Sequence, residues 1–380
     1  MKNLNQTTKV ARLAKRLLIS IGVFCSAFNP ALADTLDDNL NTVWEVLWDQ
    51  RGTPRQLQRW DIKAGPVRYR IFGDSANQQR KHLQTAIASA SEISGVQFKD
   101  VSDSPSAASE SQLDLEVVNQ LELTSNMPCY MQAQRVQGGY FQKVLVKMRE
   151  QNAYECAFHE FMHAMGLHGH PSGKTVLSYF RYRRDVFMDL DQVMLKAIYS
   201  PDMPQLATPL EALPVMAKYV AAQEYSGLSA TDKQQRVDAY LKRTLSEMTA
   251  FAKGEGEVPL IVIRSGRVTQ AHMDNARNEM AYYLGLAYNR GNAAVKDQAL
   301  AYEWFNRGAL NNHSPSQVMA GRALFYGRGV AIDTATGLNW LTKAAAAGNT
   351  VAKAELVNIG KKALERSSLE AQKPETKPVN

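Results

Sequence analysis

The sequence contains few cysteines, few histidines and no long hydrophobic run. Among 380 residues there are 3 cysteines and 7 histidines. The apolar run near the N-terminus, Leu17 to Phe28, is shorter than the roughly 20 residues that a membrane-spanning helix requires, which argues against a retained anchor. A hydrophobic content of 45% and a charged content of 21% exclude a largely disordered chain. The length predicts two or more globular domains.

The N-terminal segment has the pattern of a secretory signal. A basic stretch from Lys2 to Arg16 precedes the apolar run, and Ala31-Leu32-Ala33 places small residues at the cleavage positions. We therefore predict a signal peptide over residues 1–33 and a mature chain that begins at Asp34. The predicted location is the bacterial periplasm or the outside of the cell, with no membrane span after cleavage.

The basic excess of the chain comes mostly from this segment. The formal net charge is +7, from 44 basic and 37 acidic residues. Five basic residues and no acidic ones lie within residues 1–33, so 39 basic residues face 37 acidic ones in the remainder. This balance predicts no nucleic-acid partner.

Two cysteines, Cys129 and Cys156, remain after the signal. Export makes a disulfide between them the favoured prediction, and it would stabilise the chain by about 3 kcal/mol. Two buried thiols are the alternative.

Residues 34–200 have the mixed pattern of an α+β domain. Apolar residues alternate in segments that predict strands and recur at helical spacing in segments that predict helices. The predicted strands are 67–72, 113–121 and 142–148, and the predicted helices are 77–94 and 152–167. The strand at 142–148 fits either the edge of the sheet, where an extended peptide would bind, or the core.

After Pro201 the pattern is helical, and only Leu260 to Arg264 has the pattern of a strand. We predict a helical connector at 201–255 and helical repeats at 256–362. The polar, proline-containing end at 363–380 is predicted to be disordered.

The repeats recur at a constant offset of about 36 residues. The matched pairs include Gly285 with Gly321, Gly291 with Gly327, Asp297 with Asp333, and Trp304 with Trp340. These segments resemble the Sel-one-like repeats, relatives of the tetratricopeptide repeats. The resemblance implies an all-α solenoid that makes protein contacts.

The segment with the most chemical information is HEFMHAMGLHGH, residues 159–170, which holds four of the seven histidines. Residues four apart share one face of a helix, so His159 and His163 can bind one metal ion. Zinc prefers nitrogen ligands and keeps one position open in a catalytic site. Glu160 lies beside that face, where it can accept a proton from a zinc-bound water.

The segment resembles the metzincin peptidases, whose pattern is HExxHxxGxxH. Gly166 matches the glycine at which the family's chain leaves the helix, so that a third histidine can approach the metal. The spacing differs from the family pattern by one residue, because the family's third ligand would fall at Gly169. We predict His170, reached through one extra loop residue, as the third ligand, with His168 as the alternative.

The residues downstream resemble the same family. Thr175 to Tyr179 resembles its Met-turn, with Leu177 in the place of the methionine, and the resemblance implies that Tyr179 helps to hold the oxyanion. A gluzincin-type site would instead take its third ligand from a later glutamate. No glutamate lies between Glu160 and Glu211, so this arrangement is less favoured.

Together these features predict an exported zinc metallopeptidase that acts on a protein or peptide, with cell-wall peptides as another possible substrate. In this interpretation Glu160 activates the zinc-bound water. The alternative is a non-catalytic envelope adaptor whose repeats bind a partner. Its structural zinc would be closed by four protein ligands, His168 and His170 among them.

Overall fold

The computed structural model describes residues 35–119, 128–178, 185–266 and 268–371, with side chains described as far as Lys362. The predicted signal peptide and Tyr179 lie outside the described residues. No helix in the described part of the chain has the length and apolarity to cross a membrane.

The first half of the described chain is a mixed sheet with helices. Its helices are α1 (Leu36–Val46), α2 (Ala76–Ser94), α3 (Ala107–Glu110), α4 (Ala153–Ala164) and α5 (Asp189–Ile198). Its strands are β1 (Val67–Phe72), β2 (Phe98–Asp100), β3 (Leu113–Val118), β4 (Cys129–Gln137) and β5 (Tyr140–Arg149). The α+β class is therefore confirmed, and α1, α3, β2 and β4 are among the elements that the pattern did not predict.

The five strands lie in the order β2-β1-β3-β5-β4. Neighbouring strands from β2 to β5 are parallel, and β4 is antiparallel to β5. The segment 142–148, which fitted either position, therefore lies inside the sheet, and β4 is the edge strand beside it. Apolar and polar residues do not alternate regularly along β4, because the pairing of β4 with β5 shifts register around Ala133 and Arg135. Such irregularities are common at sheet edges.

The second half of the described chain is helical. Its helices are α6 (Pro209–Ala221), α7 (Ala230–Lys253), α8 (Leu260–Arg264), α9 (Gln270–Arg290), α10 (Gln298–Leu310), α11 (Ser314–Tyr326), α12 (Thr334–Ala346) and α13 (Thr350–Ala371). The strand predicted at Leu260–Arg264 was wrong, because this segment forms the short helix α8. A short apolar run does not distinguish a strand from a buried helical turn, and Ile261 and Val262 are buried here.

Small residues bring the helices of each repeat close together. A Cβ atom at Gly285 would overlap the ring of Phe305, and one at Gly321 would crowd the carbonyl oxygen of Gly337. Trp304 is buried between the helices. The repeat spacing thus corresponds to pairs of closely packed helices.

The last helix continues beyond the predicted boundary at residue 362. α13 ends at Ala371, so the prediction of disorder was wrong for residues 363–371. This stretch has no glycine or proline before Pro374 and consists largely of good helix formers.

The sheet and the helical half share one hydrophobic core. It is continuous from α1 through the sheet and its helices to Ala320 in α11, and it includes Trp48, Phe158, Phe251 and Phe305. A small separate cluster contains Val318, Leu341, Ala344 and Ala352. The helical half up to α10 is therefore part of the structure that supports the sheet.

Candidate metal centre

Helix α4 presents two histidines on one face. His159 and His163 are four residues apart, and their ring centroids are separated by 4.8 Å. Both are buried, with 7% and 8% of their surfaces exposed. The spacing recognised in the sequence therefore does place both imidazoles together.

The chain leaves α4 through a glycine that no other residue could replace without strain. Gly166 has φ of +114°, and a Cβ atom there would overlap the carbonyl oxygen of Gln58. A side chain is thus excluded both by the backbone conformation and by the packing. This turn sends the following residues back toward the histidine face of α4.

His170 completes the cluster. Its Nε2 atom lies 3.1 Å from Nε2 of His159 and 3.2 Å from Nε2 of His163. The ligand atoms of these three histidines all lie within 4.8 Å of one another. Among the described residues, this is the cluster of histidine, cysteine or acidic side chains that could hold a metal ion. The structure thus brings together the three histidines predicted as ligands.

Hydrogen bonds orient two of the rings. Nδ1 of His159 donates to the carbonyl oxygen of Val176 at 2.8 Å, and Nδ1 of His163 donates to that of Leu167 at 2.6 Å. Since Nδ1 carries the proton, each Nε2 atom offers its lone pair to the centre of the cluster. Burial lowers the pKa of His163 to about 4, which keeps this ring neutral and able to bind a metal ion.

This arrangement fits zinc. Two nitrogens at about 2.0 to 2.1 Å from a tetrahedral zinc ion lie about 3.3 Å apart, close to the separations of the Nε2 atoms. Three imidazole ligands leave a fourth position for water or substrate, as in catalytic zinc sites.

His168 is not part of the cluster. Its ring lies parallel to that of His163, with centroids 6.2 Å apart. Its Nε2 atom is buried and makes no hydrogen bond among the described residues. Burial, together with the charge of Arg55, holds the pKa of His168 well below its usual value.

Glu160 lies beside the histidines in an apolar setting. Only 3% of its surface is exposed, and its Oε2 atom has no hydrogen-bond partner within the described chain. Burial raises the pKa of this carboxyl group to about 8. A carboxyl group with this pKa can both accept and release a proton near neutral pH.

The histidines and Glu160 line a cleft of about 820 Å³. One wall is the start of β4, from Pro128 to Ala133, and another includes the loop from Asp49 to Arg51. Cys129 and Cys156 form a disulfide that joins this edge strand to α4. The covalent link therefore connects the cleft wall to the helix that carries His159.

A buried aspartate holds the turn below the cluster. Oδ2 of Asp191 accepts hydrogen bonds from the backbone N–H groups of Val176 at 3.1 Å and Met188 at 2.9 Å. Val176 in turn accepts the hydrogen bond from His159. Sequence reasoning missed this role of Asp191, which stands in the first turn of α5. Leu177 of the turn is buried.

The histidine cluster lies within the part of the chain that a peptidase family model matches. The family model of the astacin peptidases matches residues 52–226, and the Sel1 repeat model matches residues 278–313 and 314–349. The chain thus carries an astacin-type metzincin peptidase domain followed by two Sel1 repeats. The predicted resemblances to metzincins and to Sel-one-like repeats are both confirmed.

Two solved structures are similar to about a third of the chain. A Sel1 repeat protein from Oxalobacter formigenes is 27% identical, with 32% of this chain and 98% of that chain covered at a TM-score of 0.22. Cysteine rich protein B of Helicobacter pylori is 16% identical, with 34% and 98% covered at a TM-score of 0.21. No curated protein matches the chain.

Proposed function

We propose that the protein is an exported zinc metallopeptidase. The observation that carries this proposal is the convergence of three Nε2 atoms in a cleft, beside a buried carboxyl group whose Oε2 atom has no hydrogen-bond partner among the described residues. The astacin-type domain supports a hydrolase that uses zinc. His159, His163 and His170 would hold the ion.

Bound zinc would supply Lewis acidity toward water and toward the carbonyl group of the scissile peptide bond. Glu160 would take the proton from the attacking water and pass it to the leaving amine. Tyr179 stays a prediction as the residue that helps to hold the oxyanion.

The substrate would be an extended peptide. Among the described residues β4 pairs with β5 alone, so its other side offers backbone N–H and C=O groups along the cleft wall. An extended chain can add to such an edge as a further strand. The disulfide would keep this strand at a constant distance from α4.

The Sel1 repeats would bind a protein, either the substrate or a partner. Export by the segment at residues 1–33 fits the disulfide, since disulfides persist in oxidising compartments. The alternative adaptor needs four protein ligands on the metal. His168 lies outside the convergent set, which favours the catalytic interpretation.

The test is zinc content together with peptide hydrolysis by the mature protein and by Glu160→Gln. The variant should keep about one zinc ion per chain and its fold, but lose hydrolysis by about 10² to 10⁴. His163→Ala should lose both. Undiminished hydrolysis by Glu160→Gln would contradict the proposed catalytic role. A cellular phenotype that survives Glu160→Gln would instead favour the adaptor.

A further inference from the structure

The loop that carries His170 is attached to α1 on both of its sides. Oε2 of Glu45 accepts hydrogen bonds from the backbone N–H of Ser172 at 2.9 Å and from its hydroxyl group at 3.3 Å. On the other side, the N–H of Gly169 donates to the carbonyl oxygen of Val46 at 3.1 Å. α1 therefore restrains the backbone both before and after the third histidine.

The loop also packs against α1 without space for side chains. A Cβ atom at Gly169 would overlap the carbonyl oxygen of Glu45, and one at Gly173 would overlap the hydroxyl group of Thr42. Neither glycine has a positive φ. Close approach to α1, rather than backbone conformation, is therefore what requires glycine at both positions.

The same carboxylate is bound from the helical half of the chain. Oε1 of Glu45 forms an ion pair with Arg264 at the end of α8. The side chain of Glu45 is 11% exposed and that of Arg264 is 36% exposed. α8 is itself held in place, because Val262 is fully buried and packs closely against Gly52. Each oxygen of Glu45 thus has a different partner, one on the ligand loop and one in the helical half.

We propose that Glu45 is a positioning residue for the third ligand, and that Arg264 makes this positioning depend on the helical half. The inference rests on the proposed zinc function. Without Arg264, a largely buried carboxylate would lose its counterion, and such a group reorients or draws in water. Ser172 would then be held less firmly, and His170 would spend less time where the three Nε2 atoms meet.

The experiment compares Arg264→Ala, Arg264→Lys and Glu45→Ala with the matched control Arg290→Ala. Arg290 forms an ion pair with the fully buried Glu211, and both residues lie in the helical half, in α9 and α6. Two properties are measured in each full-length protein. One is the zinc dissociation constant, by competition with a chromophoric chelator, and the other is amide hydrogen exchange of residues 167–173 in the metal-free state.

Arg264→Ala and Glu45→Ala should weaken zinc binding by about 10- to 100-fold, the range seen when residues supporting metal ligands are removed. Both should speed exchange in residues 167–173. Arg264→Lys should recover part of each effect, and Arg290→Ala should show neither.

Unchanged zinc affinity and unchanged exchange in Arg264→Ala would overturn the proposal. An equal loss in Arg290→Ala would also overturn it, because the effect would then come from general loosening of the helical half. If the unaltered protein binds no zinc, the proposed function fails. In that case the exchange of residues 167–173 still decides whether Glu45 and Arg264 hold the loop.

Discussion

At the scale of single residues, two neighbouring histidines have different surroundings. Nε2 of His170 meets the other two ring nitrogens, whereas Nε2 of His168 is buried without a hydrogen bond within the described chain. His170→Ala should therefore weaken zinc binding far more than His168→Ala does, which chelator competition measures. A larger loss in His168→Ala would show that the third ligand is assigned to the wrong residue.

The carboxyl group of Glu160 should make the stability of the metal-free protein depend on pH. Burial raises its pKa from 4.5 to about 8 in the folded state, so the folded state binds this proton more tightly than the unfolded state does. The resulting stability is complete below about pH 4.5 and is lost as the pH rises to about 8.

Glu160→Gln removes this titration. The free energy of unfolding of chelator-treated Glu160→Gln, relative to the unaltered protein, should increase between about pH 5 and about pH 8. Urea unfolding at both pH values provides the measurement. A difference that does not change with pH would show that the Glu160 carboxyl is not buried as described.

At the scale of elements, the turn from Thr175 to Ser178 depends on α5. Asp191→Ala would leave the N–H groups of Val176 and Met188 without their shared acceptor. Each buried unpaired group costs about 1 to 3 kcal/mol. The free energy of unfolding of the variant should fall by an amount of this order. Zinc should also bind more weakly, because Val176 orients His159.

Asp189→Ala is the matched control for this prediction. Asp189 lies in the same first turn of α5, but it is exposed. Urea unfolding and zinc competition should both give values close to those of the unaltered protein for this control. If Asp191→Ala lowered stability without affecting zinc affinity, the turn would not be orienting His159.

At the scale of the whole molecule, the shared core predicts that the sheet and the helices up to α10 unfold together. Phe251 of α7 packs near Trp48, with ring centroids 6.4 Å apart. Phe251→Ala should cost about 3 to 5 kcal/mol. The denaturant concentrations at which α4 and α10 unfold should fall by the same amount. Hydrogen exchange at increasing denaturant concentration measures both.

Leu341→Ala provides the contrast, because Leu341 belongs to the separate cluster near the end of the repeats. It should loosen α12 and α13 while leaving the midpoint of α4 unchanged. Separate midpoints for α4 and α10 in Phe251→Ala would mean that the two halves are independent despite their common core.

The sequence predicts the elements whose pattern is local. The alternating strand at 67–72, the helix that ends at Gly95 and the repeat offset all appear in the structure. The edge strand β4 could not be predicted in the same way. Its irregular pattern follows from a ladder with shifted register, and its place at the edge depends on how all five strands pair.

The sequence by itself places His159 and His163 side by side, because a helix brings residues four apart onto one face, and it places Glu160 next to that face. It leaves His168 and His170 as alternatives, since a loop has no repeating geometry that would distinguish them. Only the tertiary structure places His170, rather than His168, beside His159 and His163. The contacts of Gly166 with Gln58, and of Gly169 with α1, direct the loop back to α4, and these partners are separated from the loop by more than a hundred residues.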